Sequence, residues 1–560
     1  MALTRKDREF RHPGVSYLDF KQLDMDRVLT AFFARLWYHG LPSRLARSAD
    51  LGVDDFVDEF LDHPDSFAGF DPGVTRRWVE TYLLDMVNRG KPTQAVAGPR
   101  PLHGLTYRFR NSRRSRPYGA DEHLYEMFAH ARDGRGLQAL QYLRTFFFAG
   151  IDPATETRRA DAGIDVETQA LLHLATVKRI EDRADTSKPR KPYPPVCQAA
   201  ADLLTDDVVR LLFHQRFIPR SVMVDYLKIL FAFHLGLYHL RLIKVLPALV
   251  AVSTPGERPA GTPGTAGPAG PRCCFGRCTG DLGSASSGCG YGVGVFCDVA
   301  GVPGTRLAGL AERSAGVWFG RIPEFVRAAF AVKKLDEFAT YQARRGALRR
   351  PGNTTFGVPD ALALLGRSQQ RDRENFFASR VASIVEDSAG VDTEVESRIG
   401  QILQLGLDQF TTYLEILTAY RGDFHRRYLV DCLDTMLLKN RPGAMIAQPR
   451  GGTRRFILDS RLLEVLLQIS LLAPGGVQGF HTRALRIDEF LAVLRDRYGL
   501  FVDRLPPGDG FGATSITDHA ALRANEAALT AKLREIGFFS DLSDAYLTQT
   551  ITPRYVIEEQ

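Results

Sequence analysis

Five of the chain's seven cysteines, Cys273, Cys274, Cys278, Cys289 and Cys297, crowd into one short stretch. Deprotonated thiols are zinc ligands, and four of them can hold the ion in a closed tetrahedral site. Such an ion would clip together a loop with too few apolar residues to build a core of its own. Cys274, Cys278, Cys289 and Cys297 are therefore candidate ligands for a structural zinc. No Cys-x-x-Cys pair occurs among them, so the competing reading is a disordered insert whose thiols stay reduced and idle. Cys197 and Cys432 fall in helical patterns and read as small core residues.

A second constellation is basic and aromatic. Between residues 107 and 118, Arg108, Arg110, Arg113, Arg114 and Arg116 are interleaved with Tyr107, Phe109 and Tyr118. Guanidinium forks match phosphate oxygens, and aromatic faces stack on exposed bases. The competing reading is a solvated loop, or arginines paired to acids on a neighbouring helix. His425 beside Arg426 and Arg427 could touch phosphate in the same way; Arg344-Arg345, Arg349-Arg350 and Arg454-Arg455 are weaker versions. His234 and His239 are five apart, not the four that aligns two ligands on one helical face, and read as core histidines. Asp24 and Asp26 read as helix-capping and dipole partners.

The motifs that are missing narrow the chemistry. There is no phosphate-binding Gly-x-x-x-x-Gly-Lys-[Ser/Thr], no His-Glu-x-x-His, no Gly-x-Ser-x-Gly and no kinase set. A reaction carried by dispersed residues stays open, but nothing in the chain names one.

These side chains must be positioned by helices. Apolar residues recur at helical spacing over 25–37, 53–61, 74–87, 121–132, 137–148, 166–180, 196–213 and 219–249. The pattern resumes at 306–315, 322–344, 360–365, 373–388, 395–420 and 424–438. Residues 93–119 read as a loop, or a loop with a short ribbon. A proline-rich linker occupies 185–195, and a Pro/Gly/Cys-rich flexible insert 253–302. The expected organisation is an N-terminal helical domain (1–190), a central helical segment (191–252), the insert (253–302), a second helical segment (303–452) and a C-terminal domain (453–560).

With 560 residues, 44% apolar and 24% charged, the composition is that of an ordinary globular protein, and the net charge of +7 favours approach to polyanions. The N-terminus lacks the apolar core of a signal peptide. The most apolar run, 222–252, carries Asp225, Lys228, His234, His239, Arg241 and Lys244, which points to a buried helix rather than a membrane span. The expected compartment is the cytoplasm, with no membrane partner.

The last hundred residues outline a winged helix. One helix should start at Asp459-Ser460 and a second near Asp488, ended by Gly499 after Arg495 and Arg497. A strand at 500–503, a third helix over 518–536 and a β-ribbon through Phe538-Phe539 and 546–551 complete it. In winged helices the third helix reads the major groove. Arg523, Asn525, Lys532 and Arg534 would be its reading residues, with Arg554 near the ribbon; such units also serve as protein–protein connectors.

Three stretches resemble a known family: Asp19-Phe20-Lys21-Gln22-Leu23-Asp24-Met25-Asp26-Arg27-Val28-Leu29, Arg497-Tyr498-Gly499-Leu500-Phe501-Val502-Asp503 and Ile536-Gly537-Phe538-Phe539-Ser540-Asp541-Leu542-Ser543-Asp544-Ala545. They are similar to accessory proteins of bacterial phage-defence clusters linked to DNA modification, first those of the methylation-associated defence system and second those of phosphorothioation-dependent restriction. The resemblance implies a non-enzymatic component working beside a methyltransferase and an ATPase. The expectation is thus a mainly α protein, multi-helix bundles with a winged-helix-like C-terminal domain, acting as an accessory subunit that contacts DNA. The alternatives are a scaffold in the same complex and an enzyme without a recognisable motif.

Overall fold

The most apolar run of the sequence becomes one helix, Arg220–Ser253, and the other helices are arranged around it. Its apolar residues circle the whole helix, which in a folded chain requires partners on every side. It has them: Met25–Trp37, Gln198–Phe213, Ile322–Arg344, Gln409–Leu437 and Ser460–Ser470 all pack against it. By length and composition this helix could cross a membrane, but here it is the centre of the core. Most of the charged and histidine side chains on it find partners within the protein. Lys228 meets Asp26 at 2.8 Å, His234 Asp207 at 2.9 Å, His239 Ser16 at 2.9 Å and Lys244 Asp509 at 3.1 Å. At Gly236 a Cβ would lie 2.6 Å from Leu437 Cδ2, so the absent side chain sets how closely the Gln409–Leu437 helix approaches.

The structure is a computed structural model describing all residues except 1–2, 45–50, 65–67, 112, 153–158, 160–165, 178–181, 188–189, 191, 255–291, 350–355, 389–392, 476–478, 513, 540–549 and 559–560. It is mainly helical, as expected. Caps explain several helix starts. Asp24 accepts from Asp26 N–H, Asp71 from Val74 N–H and Asp459 from Arg461 N–H, each satisfying a donor that the first turn leaves open.

Several helix boundaries differ from expectation. The 74–87 helix ends in a π-turn at Leu83, and Leu84–Val87 is a strand pairing antiparallel with Ala95–Pro99. The apolar residues of that strand were equally compatible with helical spacing, and only the partner strand separates the two. The expected break near 421–423 is absent, since Gln409–Leu437 runs straight through Gly422. The break lies instead at 404–408, where Gly406 takes a positive φ and Asp408 caps the next helix. A mid-helix glycine costs only about 1 kcal/mol, which packing of Leu414, Leu417 and Leu429 readily offsets.

Residues 293–299, near the described end of the Pro/Gly/Cys-rich stretch, are built into the interior, whereas 300–302 are exposed. Val295–Phe296 pairs in parallel with Leu500–Phe501, and both residues of the first strand are fully buried. Gly499 makes this pairing possible: φ is +73°, and a Cβ there would sit 1.9 Å from Val293 O. It also closes the second C-terminal helix, as its position suggested.

The C-terminal elements follow the expected order, with helices Ser460–Ser470, Ile487–Val493 and Ile516–Glu535. The strands are distributed differently. Leu472–Pro474 pairs with Phe480–Thr482, and Leu485–Arg486 pairs with Thr550–Ile551. Phe539 bridges Ile551, which supports the far end of the expected ribbon; 540–549 lie outside the described residues. The Leu500–Phe501 strand takes its partner from beyond the unit.

Candidate nucleic-acid interface

The arginine-rich stretch divides into an inner and an outer half. Gly104–Phe109 forms a 3-10 helix, and the Asn111 side chain then accepts from the N–H groups of Arg113 and Arg114 at 3.0 and 3.1 Å. Arg110 turns inward, donating to Ser43 Oγ at 3.3 Å. Burial holds its guanidinium below the usual range, against the pull of Asp121 and Asp182. Arg108 lies over the Tyr107 ring, 5.8 Å from its centroid. Arg113, Arg114 and Arg116 are exposed and keep the character the sequence implied.

The third C-terminal helix is also two-sided. Asn525 is fully buried: its oxygen accepts from Val299 N–H at 2.8 Å, and its nitrogen donates to Cys297 O and Val502 O at 2.8 and 2.9 Å. It locks the helix to the parallel strand pair. Lys532 donates to Leu458 O at 3.1 Å, and burial lowers its pKa. Arg523 and Arg534 are exposed, the latter over the Phe539 ring, and Arg554 donates to Glu464 and to Ile536 O. Cys297 is fully buried beside the strand pair, where burial pushes its thiol well up. Cys274, Cys278 and Cys289 lie outside the described residues.

A groove of about 390 Å³ gathers basic and aromatic side chains more tightly than either stretch. The Gln409–Leu437 helix supplies Phe424, His425 and Tyr428 from successive turns, and residues 9–21 lie along it. Phe10 stacks on His425 at 4.3 Å. Lys21 Nζ stands 3.9 Å from the centre of the Tyr428 ring, and the Arg421 guanidinium 4.0 Å from that of Phe424. Burial, then Arg421 and Lys21, push the His425 imidazole down to about 4. Arg421 is itself lowered by burial and then by Arg8.

Cations depress one another only where carboxylates are too few to compensate. Two acids lining the groove are engaged, Asp19 by Arg11 and Glu9 by Lys333. His425 Nε2 and Arg421 Nε are buried without a hydrogen-bond partner among the described residues. A buried donor left unpaired costs about 1–3 kcal/mol, a cost that an incoming anionic oxygen would remove. The outer arginine loop adjoins this groove, because Asp19 N–H donates to Tyr118 O at 2.9 Å. In the sequence, His425, Arg426 and Arg427 pointed here. The contributions of Phe10 and Lys21 were not visible, since nothing local announces which helix the N-terminal segment will cover.

The sequence model of the family described as methylation-associated defense system protein MAD7 matches residues 5–555. The chain belongs to this family. The first of the two resemblances is therefore correct, and it extends well past the three stretches that carried it, across nearly the whole chain. No curated protein matches the chain. Membership in the MAD7 family makes this a protein of a methylation-associated defence system, with other components of such a system as its setting.

Proposed function

We propose that this MAD7-family chain is a non-enzymatic accessory subunit that contacts DNA in the cytoplasm for its defence system. The contact surface is the groove of Phe10, Lys21, Arg421, Phe424, His425 and Tyr428, extended by Arg113, Arg114 and Arg116. The observation that carries this reading is the pair of buried nitrogens without a hydrogen-bond partner among the described residues, His425 Nε2 and Arg421 Nε, set beside Lys21 and Arg8. Aromatic rings beside phosphate-binding cations suit exposed bases more than a closed duplex. The winged-helix-like reading of 453–560 supplies an alternative surface through its exposed Arg523 and Arg534.

Fluorescence anisotropy with labelled single- and double-stranded DNA across a salt series tests this. Each phosphate contact contributes about 0.7 to the log–log salt slope for single strands and about 0.9 for duplex. Lys21→Ala/Arg421→Ala should flatten the slope by about twice those amounts. Absence of binding at low salt, or an unchanged slope in the double variant, rejects the groove.

A second reading, a scaffold for the system's methyltransferase or ATPase, is favoured by the turn between two helices. Leu403, Leu405 and Leu407 there are 42%, 64% and 37% exposed, an apolar cluster that costs stability unless covered. Co-purification with neighbouring components, lost on Leu405→Ser, would support it.

A further inference from the structure

We propose that Glu59, His63 and His173 form a binding site for one divalent transition-metal ion of the zinc class. It lies in the small satellite core of Phe56, Phe60, Leu83 and Leu171, away from the groove described above. Glu59 and His63 are four apart, so the end of helix Val53–Leu61 and its last turn bring them to one side. His173 arrives from helix Val166–Val177. His63 Nε2 is 3.5 Å and His173 Nε2 3.9 Å from Glu59 Oε1, and one ligand atom from each residue lies within 4.8 Å of the others. Bonds of about 2.1 Å to a tetrahedral ion place its ligands about 3.4 Å apart, so the two contacts to Glu59 need close by about half an ångström or less and the pair of histidines by at most about 1.4 Å.

The chemistry fits as well as the distances. Two neutral imidazoles and one carboxylate are a borderline set that favours zinc and its neighbours over magnesium or calcium. The rings meet edge to face at 4.4 Å. Glu59 and His173 are largely buried, whereas the His63 side chain is 41% exposed. Three protein ligands with one exposed side leave the fourth position to water. Tying the two helices together would stabilise a satellite whose own apolar core is small.

The full chain, stripped with chelator and dialysed, should be titrated with Co2+ and Zn2+ while absorbance and bound metal are recorded. Cys273→Ser/Cys274→Ser/Cys278→Ser/Cys289→Ser should be used as the background, so that these clustered thiols cannot contribute. One equivalent with cobalt bands of a four- or five-coordinate nitrogen–oxygen site is expected, together with a raised thermal midpoint. His63→Ala, at a half-exposed position that should tolerate truncation, should lose that equivalent; His519→Ala, distant and exposed, should keep it. No bound equivalent in the serine-substituted background, or one that survives both His63→Ala and His173→Ala, overturns the site.

Discussion

Replacing Arg497 with methionine isolates what a buried charge contributes to this fold. Arg497 comes from the second C-terminal helix and reaches the helix Gln198–Phe213, donating to Asp206 at 2.6 Å and to Asp207 through two nitrogens. Asp207 is fully buried, and its other oxygen meets His234 at 2.9 Å. Burial pushes the Asp207 carboxyl up, but Arg497 and then His234 more than offset it, and the net position is below the ordinary value. Removing the guanidinium leaves Asp207 with only His234 and the Tyr498 hydroxyl beside it. Orphaning one member of a buried ion pair costs about 3–5 kcal/mol. His234 remains, so the lower end of that range applies, about 3 kcal/mol.

The sign of the pH dependence follows. With Arg497 present, the depressed carboxyl contributes stability above its unfolded pKa, lost as pH falls through the folded value. Without it, burial dominates and the carboxyl is raised, so protonation relieves the variant. The gap between wild type and Arg497→Met should therefore be widest near pH 7.5 and narrow toward pH 4.5. Urea midpoints at both pH values read this directly, and adding Asp207→Asn to Arg497→Met should restore part of the loss. A cost under about 1 kcal/mol at pH 7.5, or a gap that widens in acid, would refute the account.

Other consequences are more local. Gly236→Val should destabilise by about 1–3 kcal/mol through overpacking, and Leu437→Ala should recover part of it, seen as a shift in denaturation midpoint. Asn525→Leu strands Val299 N–H and two carbonyls, costing about 3 kcal/mol, while DNA affinity per folded molecule stays unchanged if the groove is the contact surface. His239 is held at about 4, burial outweighing its bond to Leu235 O. As pH falls from 6.5 to 4 the unfolded chain gains that proton first, so stability should drop by about 3 kcal/mol; His239→Gln should flatten that part of the profile. In the groove, Phe424→Ala should weaken single-strand binding by about 1–3 kcal/mol with the salt slope retained.

Local chemistry was enough to determine most helices. Val53–Leu61 and Ile322–Arg344 lie where apolar spacing put them, Asp459 caps as its side chain suggests, and Gly499 stops its helix in the left-handed region. These outcomes depend on groups within one turn of each other, which a sequence displays directly. The family was legible too, from three short stretches that the whole-chain match extends. Tertiary packing decided the rest. Arg110 and Arg113 are three residues apart and look alike, yet one turns inward and is half-buried and the other is exposed, because the wall that covers Arg110 comes from elsewhere in the chain. Asn525 looked like a base-reading residue and is a fastener, since the strand pair it holds joins two segments far apart in sequence. The meeting of Phe10 with His425, and of His63 with His173, is likewise set by which surfaces the helices bury against each other. Burial is a property of the assembled core, and no window of sequence contains it.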